Sequence, residues 1–271
     1  DRRGVAAVEG SQVSRMERMP PAYVINLDRS PDRLAAVRAR FAAVGVDLVR
    51  FAGIDAAANA ELVAASVDQD LFRAFMRRTA EPGEVGCALS HLAVWESLAD
   101  GDDETMLVLE DDAFPAEHFG SIAQILAALP DDWEICLLSG TGRHALWSAP
   151  AGALTVHRFG RPGYLAAGYL VHRRILRHRD RWPPRARLAF PIDAWRCWAW
   201  LHGMAIYAVA PRPIRSDRSL ASTIDHAGTG RARQPRTPGD VLRSVVARGA
   251  MYPRGAFFAA RAWWRLRARR G

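Results

Sequence analysis

The chain contains no lysine: all 37 of its basic residues are arginine, a uniformity that reflects genome composition rather than chemistry. Cysteine is scarce as well. Cys87, Cys136 and Cys197 are odd in number and far apart, which argues for neither a disulfide framework nor a zinc-ligand spacing. A reducing, cytosolic setting follows as the expectation. No run reaches the roughly eighteen uncharged apolar residues that a membrane span requires. The longest candidate, residues 197–211, is short and contains His202 and Gly203. The first twenty residues are polar and charged with no apolar segment, so they do not read as a secretory signal.

What is present is ample material for a core. A chain of 271 residues with 49% apolar content accommodates one large α/β domain, or one domain plus an appendage. The net charge of +8 is unevenly placed: residues 231–271 carry eleven Arg against one acid, Asp240, which leaves the preceding residues at about −2. The basicity belongs to a tail. Residues 1–20 read as a flexible leader, 21–227 as the folded body, and 228–271 as an Arg/Trp-rich linker and basic tail.

The pattern within the body is βαβ. Residues 22–27 suit a buried strand, and Ser30-Pro31-Asp32 is a helix start with Ser as cap and Pro in the first turn. Leu34, Val37, Phe41 and Val44 recur at helical spacing, Gly45 ends the run, and residues 46–51 form a second strand. Such an opening predicts a mostly parallel sheet flanked by helices. Further helices are expected at 59–78, 84–98, 116–129 and 191–201. Strands are expected near 105–109, 133–138, 154–159, 163–172 and 204–209. Residues 240–248 suit a short amphipathic helix. Beyond it, Phe257, Phe258, Trp263 and Trp264 alternate with arginines, the composition of an interfacial segment beside anionic lipid or of a solvated tail or oligomer contact.

The sharpest chemical signal is Thr105-Met106-Leu107-Val108-Leu109-Glu110-Asp111-Asp112. An apolar strand buried on both faces delivers three carboxylates to its carboxyl end, where open α/β sheets bind ligands. Like charges packed together favour a divalent cation, and hard oxygen donors select Mg²⁺ or Mn²⁺. The ordinary alternative for an acidic triplet is to cap a following helix.

Four blocks in order carry a resemblance. They are Tyr23-Val24-Ile25-Asn26-Leu27-Asp28-Arg29-Ser30-Pro31-Asp32-Arg33, then Phe51-Ala52-Gly53-Ile54-Asp55, then Gly83-Glu84-Val85-Gly86-Cys87-Ala88-Leu89-Ser90-His91, then Val108-Leu109-Glu110-Asp111-Asp112. Together they resemble glycosyltransferase family 25, which includes lipooligosaccharide β-galactosyltransferases and collagen galactosyltransferases. Weaker similarity runs through Gly168-Tyr169 and Pro191-Ile192-Asp193-Ala194-Trp195 to the Ser-rich run at 216–224, so the resemblance spans about 22–224.

The resemblance implies a GT-A-like α/β fold in which Asp112 and Glu110 hold Mn²⁺ or Mg²⁺, with His226 as a further ligand. Asn26, Arg29, Arg33, Asp55, Glu84, Ser90, His91 and Asp111 would line the nucleotide-sugar site. Asp193, opening a Trp-rich helix suited to stacking a sugar, is the candidate general base; the family pattern places His after it, and this chain has Ala194. The implied reaction is inverting transfer, with galactose as the expected sugar, from a UDP-sugar to a saccharide or lipid-linked acceptor in envelope polysaccharide or lipooligosaccharide synthesis. The setting would be the cytoplasm, peripherally on the inner face of a bacterial inner membrane, with an anionic surface held by the tail. A basic-tail nucleic-acid-binding protein and an inactive transferase-fold scaffold are the competing readings. The mildly acidic body argues against nucleic acid as a partner, and the intact acidic triplet argues against the scaffold.

Overall fold

The computed structural model describes residues 19–163, 167–217, 235 and 237–251. Its first unit is the expected βαβ: β1 (Ala22–Asn26), α1 (Pro31–Ala42) and β2 (Leu48–Ala52), with β1 parallel to β2. Val37 and Phe41 of α1 are buried against the sheet, whereas Val44 lies past the helix end and is exposed. Ser30 precedes α1 without a side-chain cap bond, and its carbonyl accepts from Asn26 Nδ2 instead at 2.9 Å.

Two short helices follow, α2 (Ala60–Ser66) and α3 (Gln69–Met76), each started by a capping acceptor: Asn59 Oδ1 to Leu62 N–H, and Asp68 Oδ1 to Leu71 N–H. Helix α4 (Pro82–Ser97) is buried along most of its length and begins with a capping box between Glu81 and Glu84. Strand β3 (Thr105–Glu110) pairs in parallel with β1. Its alternate side chains enter two cores. Met106 and Val108 join Trp95, Tyr169 and Trp195 on one sheet face, and Leu107 and Leu109 join Phe41, Phe119 and Ile125 on the other.

The remaining elements are β4 (Ala113–Pro115), α5 (Ile122–Ala128), β5 (Ile135–Leu137), β6 (Gly142–Ala151), β7 (Leu154–Pro162), β8 (Gly168–His172), α6 (Ile192–Arg196), α7 (Ala199–His202), β9 (Ile206–Ala210), β10 (Ile214–Ser216) and α8 (Pro238–Met251). The large sheet has the order β2-β1-β3-β8-β5-β9-β7-β6, and β10 pairs with β4 in a small second sheet. Its β2-β1-β3 half is parallel. From β8 onward it is mixed, with β8 antiparallel to both β3 and β5, β5 parallel to β9, and the β6–β7 hairpin antiparallel. This is an α/β architecture with a central sheet between helices, consistent with a GT-A-like transferase fold.

The expected helix at 191–201 is broken into α6 and α7 by Trp198, which leaves the helical region at φ −102°, ψ 28°. Trp195 is completely buried and stacks on His202 at 4.1 Å, so it is no platform for a sugar face, and Trp198 is partly buried against the same core.

Gly86 fixes the distance between α4 and the loop after β2. A Cβ there would lie 2.3 Å from Ile54 O, while Ser90 Oγ, one turn on, accepts from Ile54 N–H at 2.8 Å. Gly86→Ala gains about 1 kcal/mol in helix propensity, which the backbone clash outweighs. A net loss of about 2 kcal/mol is expected in urea denaturation; unchanged stability would show that the loop yields freely.

Candidate active site

The parallel half of the sheet brings the carboxyl ends of β1, β2 and β3 to one edge, so Asn26, Asp55 and the acidic triplet converge from residues far apart in sequence. The triplet itself diverges, because Glu110 ends β3 while Asp111 and Asp112 lie in the turn that leads into β4. Each carboxylate enters a different network.

Asp111 is buried between β1 and α1. Asn26 Nδ2 donates to its Oδ2 at 2.9 Å, and the guanidinium of Arg33 pairs with its Oδ1. Arg50 in turn donates to Asn26 Oδ1 at 3.3 Å and pairs with Asp28. Arg29 pairs with Asp55 at 2.5 Å, and its side chain remains half exposed at the rim. Thus Asn26, Arg33 and Asp111 form one unit and Arg29 and Asp55 another.

Glu110 faces α4. His91 Nε2 lies 3.1 Å from Glu110 Oε1, and His91 Nδ1 lies 2.8 Å from the Tyr169 hydroxyl, which also accepts from Trp95 Nε1–H at 3.0 Å. With Glu110 ionised, one proton assignment satisfies every atom: Trp95 donates to Tyr169, Tyr169 donates to His91 Nδ1, and His91 Nε2–H donates to Glu110. Burial, then the charge of Arg196, lowers the His91 pKa to about 3, so the ring is a neutral donor. Burial, then the charge of Asp193, raises Glu110 to about 7. The donor atoms of Cys87, His91 and Glu110 lie within 4.8 Å of one another, and the hydrogen-bond chain accounts for that grouping. Burial pushes the Cys87 thiol well up, so it is protonated and not poised as a nucleophile.

Asp112 faces β10. Ser216 Oγ–H donates to its Oδ2, and Asp217 N–H donates to its carbonyl at 2.7 Å. Its Oδ1 is buried and has no hydrogen-bond partner among the described residues. Burial, then the charge of Glu110, raises its pKa to about 6. A buried carboxylate oxygen with a vacant lone pair, beside a second carboxyl, fits a hard divalent cation. Asp112 would hold such a cation by Oδ1, with Glu110 as its neighbour.

The other expected residues have structural partners. Glu84 is clamped by Arg78 at 2.6 and 2.5 Å and accepts from Glu81 N–H, and Ser90 bridges Ile54 N–H and Gly86 O. They hold α4 in place. Asp193 pairs with Arg196, which is fully buried and lies over the Tyr169 ring at 5.4 Å. Asp193 itself is partly exposed and close enough to Glu110 and Cys87 to perturb both. His226 lies outside the described residues. Arg196, Tyr169 and Ser216, which contact Asp193, His91 and Asp112, are partners that sequence reasoning did not assign. Tyr169 and Ser216 sat in the weaker similarity blocks, and no local pattern marks Arg196.

Residues 19–148 match the profile of Glycosyltransferase family 25 (LPS biosynthesis protein), a span that contains all three carboxylates and both β1–α1 arginines. A glycosyltransferase 25 family member of Aedes aegypti is 29% identical over 166 residues, covering 55% of this chain and 26% of the relative. One of Anopheles gambiae is 33% identical over 98 residues, covering 33% of this chain and 16% of the relative. The matched part of this chain thus spans about a quarter or less of these relatives.

Proposed function

From a chain that belongs to glycosyltransferase family 25 through residues 19–148, we propose an enzyme that moves a sugar from a UDP-sugar to a saccharide acceptor with inversion. Galactose is the donor sugar in this reading. The acceptor is a free or lipid-linked saccharide of envelope polysaccharide or lipooligosaccharide, met at the cytoplasmic face of the inner membrane. The observation that carries the proposal is the buried Asp112 Oδ1, without a hydrogen-bond partner among the described residues, at the carboxyl edge of the parallel strands. That edge is where such sheets take nucleotides.

The acceptor oxygen attacks the anomeric carbon, the bond from that carbon to the diphosphate oxygen breaks, and UDP departs with the electron pair. A divalent cation, Mn²⁺ or Mg²⁺, would offset the charge gathering on the departing diphosphate. This chain's residues do the rest. Asp193 takes the acceptor proton, and Arg196 fixes its orientation. Asp111, held by Asn26 and Arg33, closes the floor of the nucleotide site. Arg29 and Asp55 present a guanidinium and a carboxylate at the rim, suited to a phosphate and to ribose hydroxyls. The His91–Tyr169–Trp95 chain keeps Glu110 aimed along α4.

A hydrolysis screen over UDP-sugars, with and without Mn²⁺, tests this directly. UDP release is expected from UDP-galactose above the other donors and only with the cation added. No release from any UDP-sugar with Mn²⁺ present, together with no UDP binding, would overturn it.

A further inference from the structure

Helix α8 is inverted relative to an ordinary surface helix. Among its described side chains Ser244 and Ala247 are the buried ones, on the side packed toward α3 and Pro184. Its large aliphatic side chains face away: Val241 is 46% exposed, Leu242 66%, Val245 59% and Val246 61%. With about 100° between successive residues, these four positions fill a continuous arc of about 140° opposite the buried side. Positions 243 and 248, both Arg, bracket that arc.

Beside the arc runs a groove of about 570 Å³ with Leu71, Pro184, Leu242 and Val246 among its walls and Arg187 and Arg243 among its polar lining residues. Arg187 also contacts Asp68 at 3.1 Å, so one of the two guanidiniums is already partly neutralised. An apolar trough beside cationic groups is the chemistry that receives an acyl chain and its phosphate.

We propose that α8 is a docking face for an anionic phospholipid surface. Charge selects this occupant. Residues 241–271 contain eight Arg and no acid, with Phe257, Phe258, Trp263 and Trp264 among them. A second copy docking its own arc about a two-fold axis would bring two such cationic segments together. A nucleic acid would satisfy the arginines and leave the four aliphatic side chains in water. Anionic lipid satisfies both, burying the arc below the headgroups and pairing the arginines with phosphates. The inference stands on α8 and is independent of the donor chemistry proposed above.

The test is co-sedimentation of the full chain with phosphatidylcholine vesicles and with vesicles that also contain phosphatidylglycerol. Binding is expected only with phosphatidylglycerol present, and it should weaken about tenfold in Leu242→Ser/Val246→Ser, whose substituted positions are exposed and leave the melting curve unchanged. Val241→Ser/Val245→Ser, on the other half of the arc, should weaken it likewise. Absence of vesicle binding overturns the proposal, as does binding equal to wild type in both double variants, which would assign the contact to the tail alone. Wild-type dimerisation in light scattering, or RNA binding, that the same substitutions abolish would reassign the face to those partners and overturn it too.

Discussion

Asp112→Asn is expected to lower kcat/KM for sugar transfer at least a hundredfold and to leave the protein as stable as wild type or more so. The two effects share one cause. Asp112 Oδ1 is buried with no hydrogen-bond partner among the described residues, and burial together with the charge of Glu110 lifts the Asp112 pKa to about 6. Above that pH the folded chain carries a carboxylate that the unfolded chain would hold more cheaply. The penalty is absent below pH 3.8, the ordinary value, and fully present above about 6. Asn accepts the same hydrogen bond from Ser216 and brings no charge, so metal-free protein at pH 8 gains about 3 kcal/mol. At pH 4 the gain vanishes. Activity falls because a neutral amide is a poor ligand for a hard cation, and losing one preorganised charge partner costs about a hundredfold to a thousandfold. Donor kinetics with Mn²⁺ and thermal melts without it separate this account from unfolding: retained activity, or lost activity with a collapsed melt, contradicts it.

A second large effect lies away from the site. Glu134 is buried, its Oε2 accepts from Ala205 N–H at 2.7 Å, and its Oε1 faces His178 Nδ1 at 3.1 Å. Burial raises its pKa to about 7 in spite of that backbone hydrogen bond and the charges of Arg181 and Arg158. His178 does not compensate, because burial and neighbouring arginines lower its own pKa. A carboxyl with a raised folded pKa binds its proton more tightly in the native state. Its contribution to stability is therefore lost as pH rises from 4.5 to about 7. The expected loss is about 3 kcal/mol. Glu110 and Asp112 titrate with the same sign, so the wild-type slope contains all three. Glu134→Gln isolates one: its amide oxygen still accepts from Ala205, and its stability should exceed wild type at pH 8 and equal it at pH 4. Urea denaturation at the two values checks this, and parallel pH profiles for the two proteins would refute it.

The βαβ opening, α4 and β3 were legible because each announces itself locally: apolar strands around a proline-led helix, apolar side chains at helical spacing, and a run buried on both faces. Pro82-Gly83 reads as a chain break, so the sequence puts the start of α4 at 84 rather than 82. Strand β6 was not. It is an edge strand carrying Pro150, a left-handed His144 and a register shift between Ala145 and Trp147, and each interrupts the period-two pattern that marks a strand. The antiparallel half of the sheet had no signature either, since β5 and β8 are short, buried and silent about direction. Within the site, the acidic triplet was legible but its divergence was not, because Asp111 and Asp112 lie in the turn after β3, where period-two alternation no longer sets side-chain direction. The partners that decide each carboxylate's behaviour, Tyr169 through His91, Arg33, and Ser216, come from other elements and only the fold assembles them.

The claim on which the account turns is that Asp112 holds a cation against the diphosphate of the donor. Crystals grown with Mn²⁺ and UDP, measured for anomalous scattering, address it at one atom. A manganese peak is expected on Asp112 Oδ1, also ligated by diphosphate oxygens. UDP bound with no peak at that carboxylate, or a peak ligated by other residues, would contradict it.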